Sequence, residues 1–257
     1  MAFRKPFLTV IAFALVAALA ACNLPSQAVT PEGVSLATPT QPAPQTLGQC
    51  RNPLHPVIKG AEWTYSLSGI TSGTFTRTIT AVREDGFTEQ DVYDAGVTRT
   101  GEWKCEDGTL TALAPAEGLS SMIQSGGVTA QFETTESEGI TLPAIVTPGA
   151  AWTQSFTLEG TQTVAGNSAK STGQMSYSCK AADTETVSVP AGVFDAVRVG
   201  CQINATISVS MAGLEVPTEW ASATTIWYAR DIGMVKTENE LSGVGHSSVE
   251  LTAYTIQ

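Results

Sequence analysis

The stretch VFDAVRVGCQINATISV, residues 193–209, alternates apolar and polar side chains with period two. Its odd positions read Val193, Val197, Val199, Cys201, Ile203, Ala205, Ile207 and Val209, with Asp195 as the exception beside a turn. Its even positions are mostly polar: Arg198, Gln202, Asn204, Thr206 and Ser208. Successive side chains of a strand point to opposite faces, so this is a strand with one face on a core. Upstream, GQMSYSCKA (residues 173–181) shows the same parity in Met175, Tyr177 and Cys179. Pro190-Ala191-Gly192 between the two segments carries turn chemistry and predicts a hairpin. Pairing centred on position 190 sets Cys179 directly across from Cys201 on the core face, and a bulge near Ala182-Asp183 would shift that register by one.

The same β signature covers the chain from Cys50 onward. Runs rich in Thr, Val, Ile, Ser and aromatics are punctuated by Glu84-Asp85-Gly86, Asp94-Ala95-Gly96, Glu106-Asp107-Gly108 and Met211-Ala212-Gly213. A helical period is sustained nowhere in it; Pro115 to Gln124 has room for one turn or two. Residues 50–257 are therefore read as one all-β domain, an antiparallel curved sheet that is either a half-barrel or a sandwich. An internal echo suggests two duplicated β meanders. Gly60-Ala61-Glu62-Trp63-Thr64-Tyr65-Ser66 resembles Gly149-Ala150-Ala151-Trp152-Thr153-Gln154-Ser155, and each half later carries a tryptophan before a Gly-containing turn, at Trp103 to Gly108 and at Trp227 to Gly233.

Residues 1–21 have the form of a targeting segment. Arg4 and Lys5 precede an apolar run from Phe7 to Ala21, too short to span a bilayer and ending in Leu19-Ala20-Ala21-Cys22. That ending resembles the lipobox of bacterial lipoproteins, which implies a signal helix cleaved between Ala21 and Cys22 and a lipid on the Cys22 thiol. Residues 22–49 then form a tether rich in Pro, Thr and Gln that cannot bury enough apolar surface to fold. The expected location is the cell envelope, with the domain outside the cytoplasm and the membrane as a partner through the N-terminal lipid.

Composition narrows the partners further. The net charge is −11, and losing Arg4 and Lys5 with the signal makes it −11 − 2 = −13. Phosphate binding needs clustered cations, so nucleic acid is not an expected partner. With Cys22 acylated, Cys50, Cys105, Cys179 and Cys201 remain, an even number that suggests two disulfides in an exported chain. Cys179–Cys201 is favoured, which leaves Cys50–Cys105; buried free thiols are the alternative.

Chemistry-bearing patterns are sparse. The histidines are His55, between prolines, and His246, in an expected hairpin loop at residues 241–246. No GxSxG accompanies them, so a hydrolytic triad is not expected. Paired carboxylates at Glu136 and Glu138, Glu215 and Glu219, and Glu238 and Glu240 fit a carbohydrate-active hydrolase only if they converge in space. Glu84-Asp85-Gly86 and Glu106-Asp107-Gly108 are too poor in ligands for calcium, and Gly126-Gly127 lacks the lysine of a phosphate loop. No metal or cofactor is expected.

Two strings carry a family likeness: Val187 to Val199 around Pro190-Ala191-Gly192, and Trp227-Tyr228-Ala229-Arg230-Asp231-Ile232-Gly233-Met234-Val235-Lys236. They resemble the signature of the TapB-like group of bacterial envelope proteins, with Asp231 standing where that group usually has glycine. The resemblance implies a curved antiparallel sheet like that of carriers that shelter lipid chains, and it implies no catalytic residues. The expected function is a non-enzymatic binding or envelope-assembly module, its partner an envelope protein or a lipid held on the concave face.

Overall fold

Among the described residues, twelve strands follow the period-two segments in chain order. They are β1 (Glu62–Gly69), β2 (Gly73–Val82), β3 (Gly86–Tyr93), β4 (Thr98–Glu106), β5 (Thr109–Ala112), β6 (Val128–Gly139), β7 (Ala151–Val164), β8 (Asn167–Val189), β9 (Gly192–Met211), β10 (Leu214–Ala229), β11 (Gly233–Leu241) and β12 (Gly245–Thr255), with one helix, α1 (Pro115–Met122), between β5 and β6. This computed structural model describes residues 48–70, 72–122, 128–164, 167–211, 214–241 and 245–256. The signal segment with Ala21 and Cys22, the tether to residue 47, Gly126-Gly127, Ala212-Gly213 and residues 242–244 lie outside the described residues.

All strands belong to one antiparallel sheet, in the order β5-β4-β3-β2-β1-β12-β11-β10-β9-β8-β7-β6. Its two ends meet where Leu110 in β5 bridges Leu142 just beyond β6, so the sheet nearly closes into a barrel. The N–H of Leu110 donates to the Leu142 carbonyl at 2.9 Å, and the reverse bond measures 3.0 Å. The sheet is one curved surface rather than two facing ones, and more nearly closed than a half-barrel. Closure hides most of the strand edge that would otherwise invite pairing with other chains. Inward positions supply the core, including Trp63, Tyr65, Phe87, Leu251, Val235 and Val199. A second cluster around Phe132, Phe156, Leu158 and Met175 fills the part under α1.

The internal echo is structural. Gly60 and Gly149 both have positive φ (84° and 86°), and each donates its N–H across to the neighbouring strand, to Ile79 at 2.8 Å and Ala181 at 2.9 Å. Trp63 and Trp152 follow three residues later on the inner face, and both indole N–H groups donate to backbone carbonyls, of Ile232 and Thr141. Among the described residues, the non-glycine residues with positive φ are Asp107 and Asp231, one per half, in the turns after β4 and β10. The halves are therefore β1–β6 and β7–β12, and β12–β1 corresponds to β6–β7 in the ring order. They differ at one joint. β11 and β12 pair over Lys236–Leu241, whereas β5 and the chain just beyond β6 share one bridge, with α1 lying between β5 and β6 in sequence.

Residues preceding β1 stop one end of the barrel. Gly108 donates to the Gln49 carbonyl and Asp231 to the Pro53 carbonyl, both at 2.7 Å, so the two equivalent turns grip the same segment. Asn52 Nδ2 reaches both the Gly108 and Pro143 carbonyls, at 2.8 and 2.9 Å. Cys50 is bonded to Cys105 in β4.

The β8–β9 hairpin holds a bonded Cys179–Cys201 pair as directly opposed residues. The expected centre at residue 190 differs from the register near the turn. Val189 pairs with Gly192 across a two-residue Pro190-Ala191 turn, and the bulge between Ala181 and Thr184 then shifts the ladder by one. The two displacements cancel at Cys179. Beyond the bulge the hairpin tip folds over the outer face of β10–β12: Ala191 donates to Leu251, and the Trp227 indole donates to Glu185.

Candidate functional site: a charged cavity inside the barrel

Strand β3 reads GFTEQDVY, and the parity that buries Phe87 also sends Glu89 and Asp91 inward. Cross-strand pairing places Arg77 of β2 and Arg99 of β4 on either side of Asp91. Asp91 is 1 % exposed and accepts three charge-assisted bonds, from Arg77 Nε at 2.7 Å, Arg77 Nη2 at 2.9 Å and Arg99 Nη2 at 2.6 Å. The Arg77 contact is bidentate, the geometry that best repays desolvation. Burial alone would raise the Asp91 pKa, but the two guanidiniums outweigh it and hold the carboxyl below its ordinary value. Burial likewise pulls Arg77 down, and Asp91 and Glu89 more than restore it.

Glu89 is bound differently. It is 4 % exposed, and its nearest basic groups are His55 Nε2 at 3.6 Å and Arg77 Nε at 3.7 Å, both too long for hydrogen bonds. Its Oε2 has no hydrogen-bond partner among the described residues, and neither has the indole nitrogen of Trp103. His55 packs among the rings of Trp63, Phe87 and Trp103, and burial depresses its pKa despite Glu89.

Of these side chains, Glu89, Arg99 and Trp103 line a cavity of about 260 Å³. Glu89, Arg99 and Gly101 line one side; Trp152, Tyr177 and Tyr228 face them, and the Cys179–Cys201 disulfide forms part of the wall. Gln154 is held by Thr141 Oγ1 and the Ala112 carbonyl. Burial pushes the Tyr228 phenol up to about 12, so it stays neutral. The cavity reaches Thr100, Glu102, Pro115 and Gly118, at the joint where β5 leaves the first half of β4 unpaired and α1 stands in.

The carboxylate pairs singled out in the sequence do not converge here. Glu136, Glu138, Glu215, Glu219, Glu238 and Glu240 are all exposed on the outer face, and Glu238 pairs with Lys236. His246 is exposed and His55 is buried near Glu89. Parity puts Phe87, Glu89, Asp91 and Tyr93 on one face, the one sequence signal that accompanies the interior charges. No group of His, Cys, Asp and Glu able to hold a metal occurs among the described residues.

A family model described as DUF3108-like matches residues 64–243, which take in β1 through β11 and the whole cavity wall. The chain belongs to the DUF3108-like family. The barrel is similar in solved structures to a Bacteroides fragilis protein described as exported with a YmcC-like fold (15 % identity, TM-score 0.49, covering 77 % of this chain and 96 % of that one). It is also similar to a protein described as a lipoprotein from Parabacteroides distasonis (16 %, TM-score 0.49, covering 82 % and 100 %). The hypothetical lipoprotein YmcC from Escherichia coli matches at 9 % identity and TM-score 0.31, over 76 % of this chain and 85 % of that one. No curated protein matches the chain.

Proposed function

We propose that this DUF3108-like protein is a lipid-anchored, extracytoplasmic binding module of the cell envelope, held through Cys22 and working without catalysis. The anchor rests on the Arg4-Lys5, apolar run and Leu19-Ala20-Ala21-Cys22 sequence; more than one acyl chain gives lasting attachment. A closer kinship with the TapB-like group rests on the strings at Val187–Val199 and Trp227–Lys236. The observation that carries binding is the cavity inside the barrel joint, whose wall mixes aromatic rings with a few polar groups, as small-molecule sites do. A long hydrophobic ligand is disfavoured, because an acyl chain there would strand Glu89 and Arg99 against hydrocarbon. A two-carboxylate hydrolase is disfavoured as well: Asp91 is saturated by two arginines and Glu102 is held by Arg83 and Thr88, which leaves Glu89 without an unengaged carboxylate partner.

Mass spectrometry of the mature protein from envelopes tests both parts. Expected are an N-terminal peptide beginning at an acylated Cys22 and a small non-lipid ligand surviving in native spectra. An unprocessed N-terminus at Met1 would remove the anchor, and a co-purified phospholipid or fatty acid would replace the ligand class.

A further inference from the structure

Resting on that reading, we infer that the cavity takes a compact zwitterion, an α-amino acid with an apolar side chain, its carboxylate bound by Arg99 and its ammonium by Glu89. The charged residues lining the cavity are Glu89, Arg99 and Glu102. Glu102 is already engaged, by Arg83 at 2.7 Å and Thr88 at 2.8 Å, so two groups of opposite sign remain. Asp91 does not use up Arg99. The Arg77 fork gives Asp91 two bonds, and Arg99 gives it Nη2 alone. Arg99 Nε and Nη1 bond nothing among the described residues, and neither is enclosed as the Trp103 indole nitrogen is. Glu89 Oε2 is enclosed too, so the oxygen left for a ligand is Oε1. It borders the space beside Gly101, where a Cβ would stand 3.4 Å from it.

Spacing sets the size of the ligand. Glu89 pairs with Gly101, and Arg99 lies two residues along β4 on the same inward face, a diagonal neighbour. Such positions are about 7–8 Å apart in an antiparallel ladder, within reach of long side chains. Charges so placed suit an ammonium and a carboxylate on one carbon, not the two ends of a long molecule. A ligand with a single charge would meet a buried wall group of its own sign. A neutral ligand would displace water from both charges and return neither a counter-ion. Trp152, Val199 and Ile226 supply apolar wall for the side chain. About 260 Å³ falls just below the roughly 300–1,000 Å³ of drug-sized sites, which favours one amino acid over a peptide.

The test titrates the mature chain in lipid nanodiscs with leucine and phenylalanine by calorimetry, with isocaproate, leucinamide, glucose and decanoate as comparators. At least one amino acid is expected to saturate, with Kd at least tenfold below that of any comparator. Glu89→Gln is expected to weaken that amino acid at least tenfold while tightening isocaproate, which lacks the ammonium. Arg99→Gln is expected to weaken it as much while tightening leucinamide, which lacks the carboxylate. These opposite changes of preference would not follow from a merely structural role, and either variant reports alone if the other fails to fold. Isocaproate or leucinamide binding the parent as tightly as the amino acids overturns the zwitterion while leaving a binding module. An amino acid whose affinity ignores both substitutions overturns the two contacts. Glucose or decanoate alone overturns the ligand class. No saturable response from any probe overturns the inference; a small ligand in native spectra of the envelope protein then still keeps the binding module, and its absence there ends both.

Discussion

At the scale of single residues, Asp91 is the least replaceable charge. Asp91→Asn leaves Arg77 and Arg99 facing one another with no shared anion. Breaking a buried ion pair from one side costs about 3–5 kcal/mol. A loss of unfolding free energy of that size, read as a lower urea midpoint at constant slope, is expected, and replacing Arg77, Asp91 and Arg99 together with Met, Leu and Leu is expected to cost less than the single change. A triple variant weaker than Asp91→Asn would mean the network stabilises the barrel beyond satisfying itself. Acid acts on the same groups. His55 is held below its ordinary 6.5, so the folded state resists its protonation. That stability is complete above 6.5 and erodes as pH falls through 6.5 toward the lower folded value. Asp91, held below its ordinary 3.8, contributes stability above that value and loses it as pH drops further. Thermal midpoints should therefore decline in two stages on acidification, and His55→Gln should abolish the upper one. A flat profile from about pH 7 to about pH 5 in the parent protein would refute this. Much of the site was available to parity. The alternation that buries Phe87 and Tyr93 places Glu89 and Asp91 beside them, but a carboxylate on a core face looks like an exposed strand until its arginines are known, and those lie on other strands.

Among the elements, the β8–β9 hairpin was the most readable, because both strands alternate cleanly and a Pro-Ala-Gly turn lies between them. Its fine register was not: a two-residue turn and a bulge displace the ladder in opposite senses. The short helix α1 was visible only as a loss of alternation, since eight residues are too few for a period to establish itself. The disulfides differ in what they constrain. Cys50–Cys105 closes 55 residues and Cys179–Cys201 closes 22, which a chain-entropy estimate turns into about 4 and about 3 kcal/mol. The shorter loop is already a paired hairpin, so its effect is expected to fall further below its figure. Replacing Cys50 and Cys105 by serine should lower the denaturation midpoint more than replacing Cys179 and Cys201, and the opposite order would show that the barrel's end stop holds without its covalent bond.

Across the whole molecule, the ring has joints of unequal quality even though its halves are duplicated. β12 meets β1 along eight paired positions, whereas β5 meets the chain after β6 at one bridge. Opening free energy follows local pairing and burial. Amide hydrogen exchange is expected to be faster at Leu110 and Leu142 than at Trp63 and Leu251, with the gap narrowing once a ligand fills the cavity. Equal protection at both joints would mean that the barrel breathes as a unit and admits nothing at that side. The sequence echo hinted at paired halves, but the asymmetry between them depends on where α1 inserts, and no periodicity marks that.

The segment that stops the barrel's end also opens the described residues. In a chain anchored as proposed, tension along the backbone would enter at Cys50 and pass through sulfur into β4, while the equivalent turns at Gly108 and Asp231 would share the remaining load. A tug of that kind shears a cross-linked ring instead of peeling one strand from its edge, so a tethered molecule buffeted by its surroundings keeps its mouth in shape.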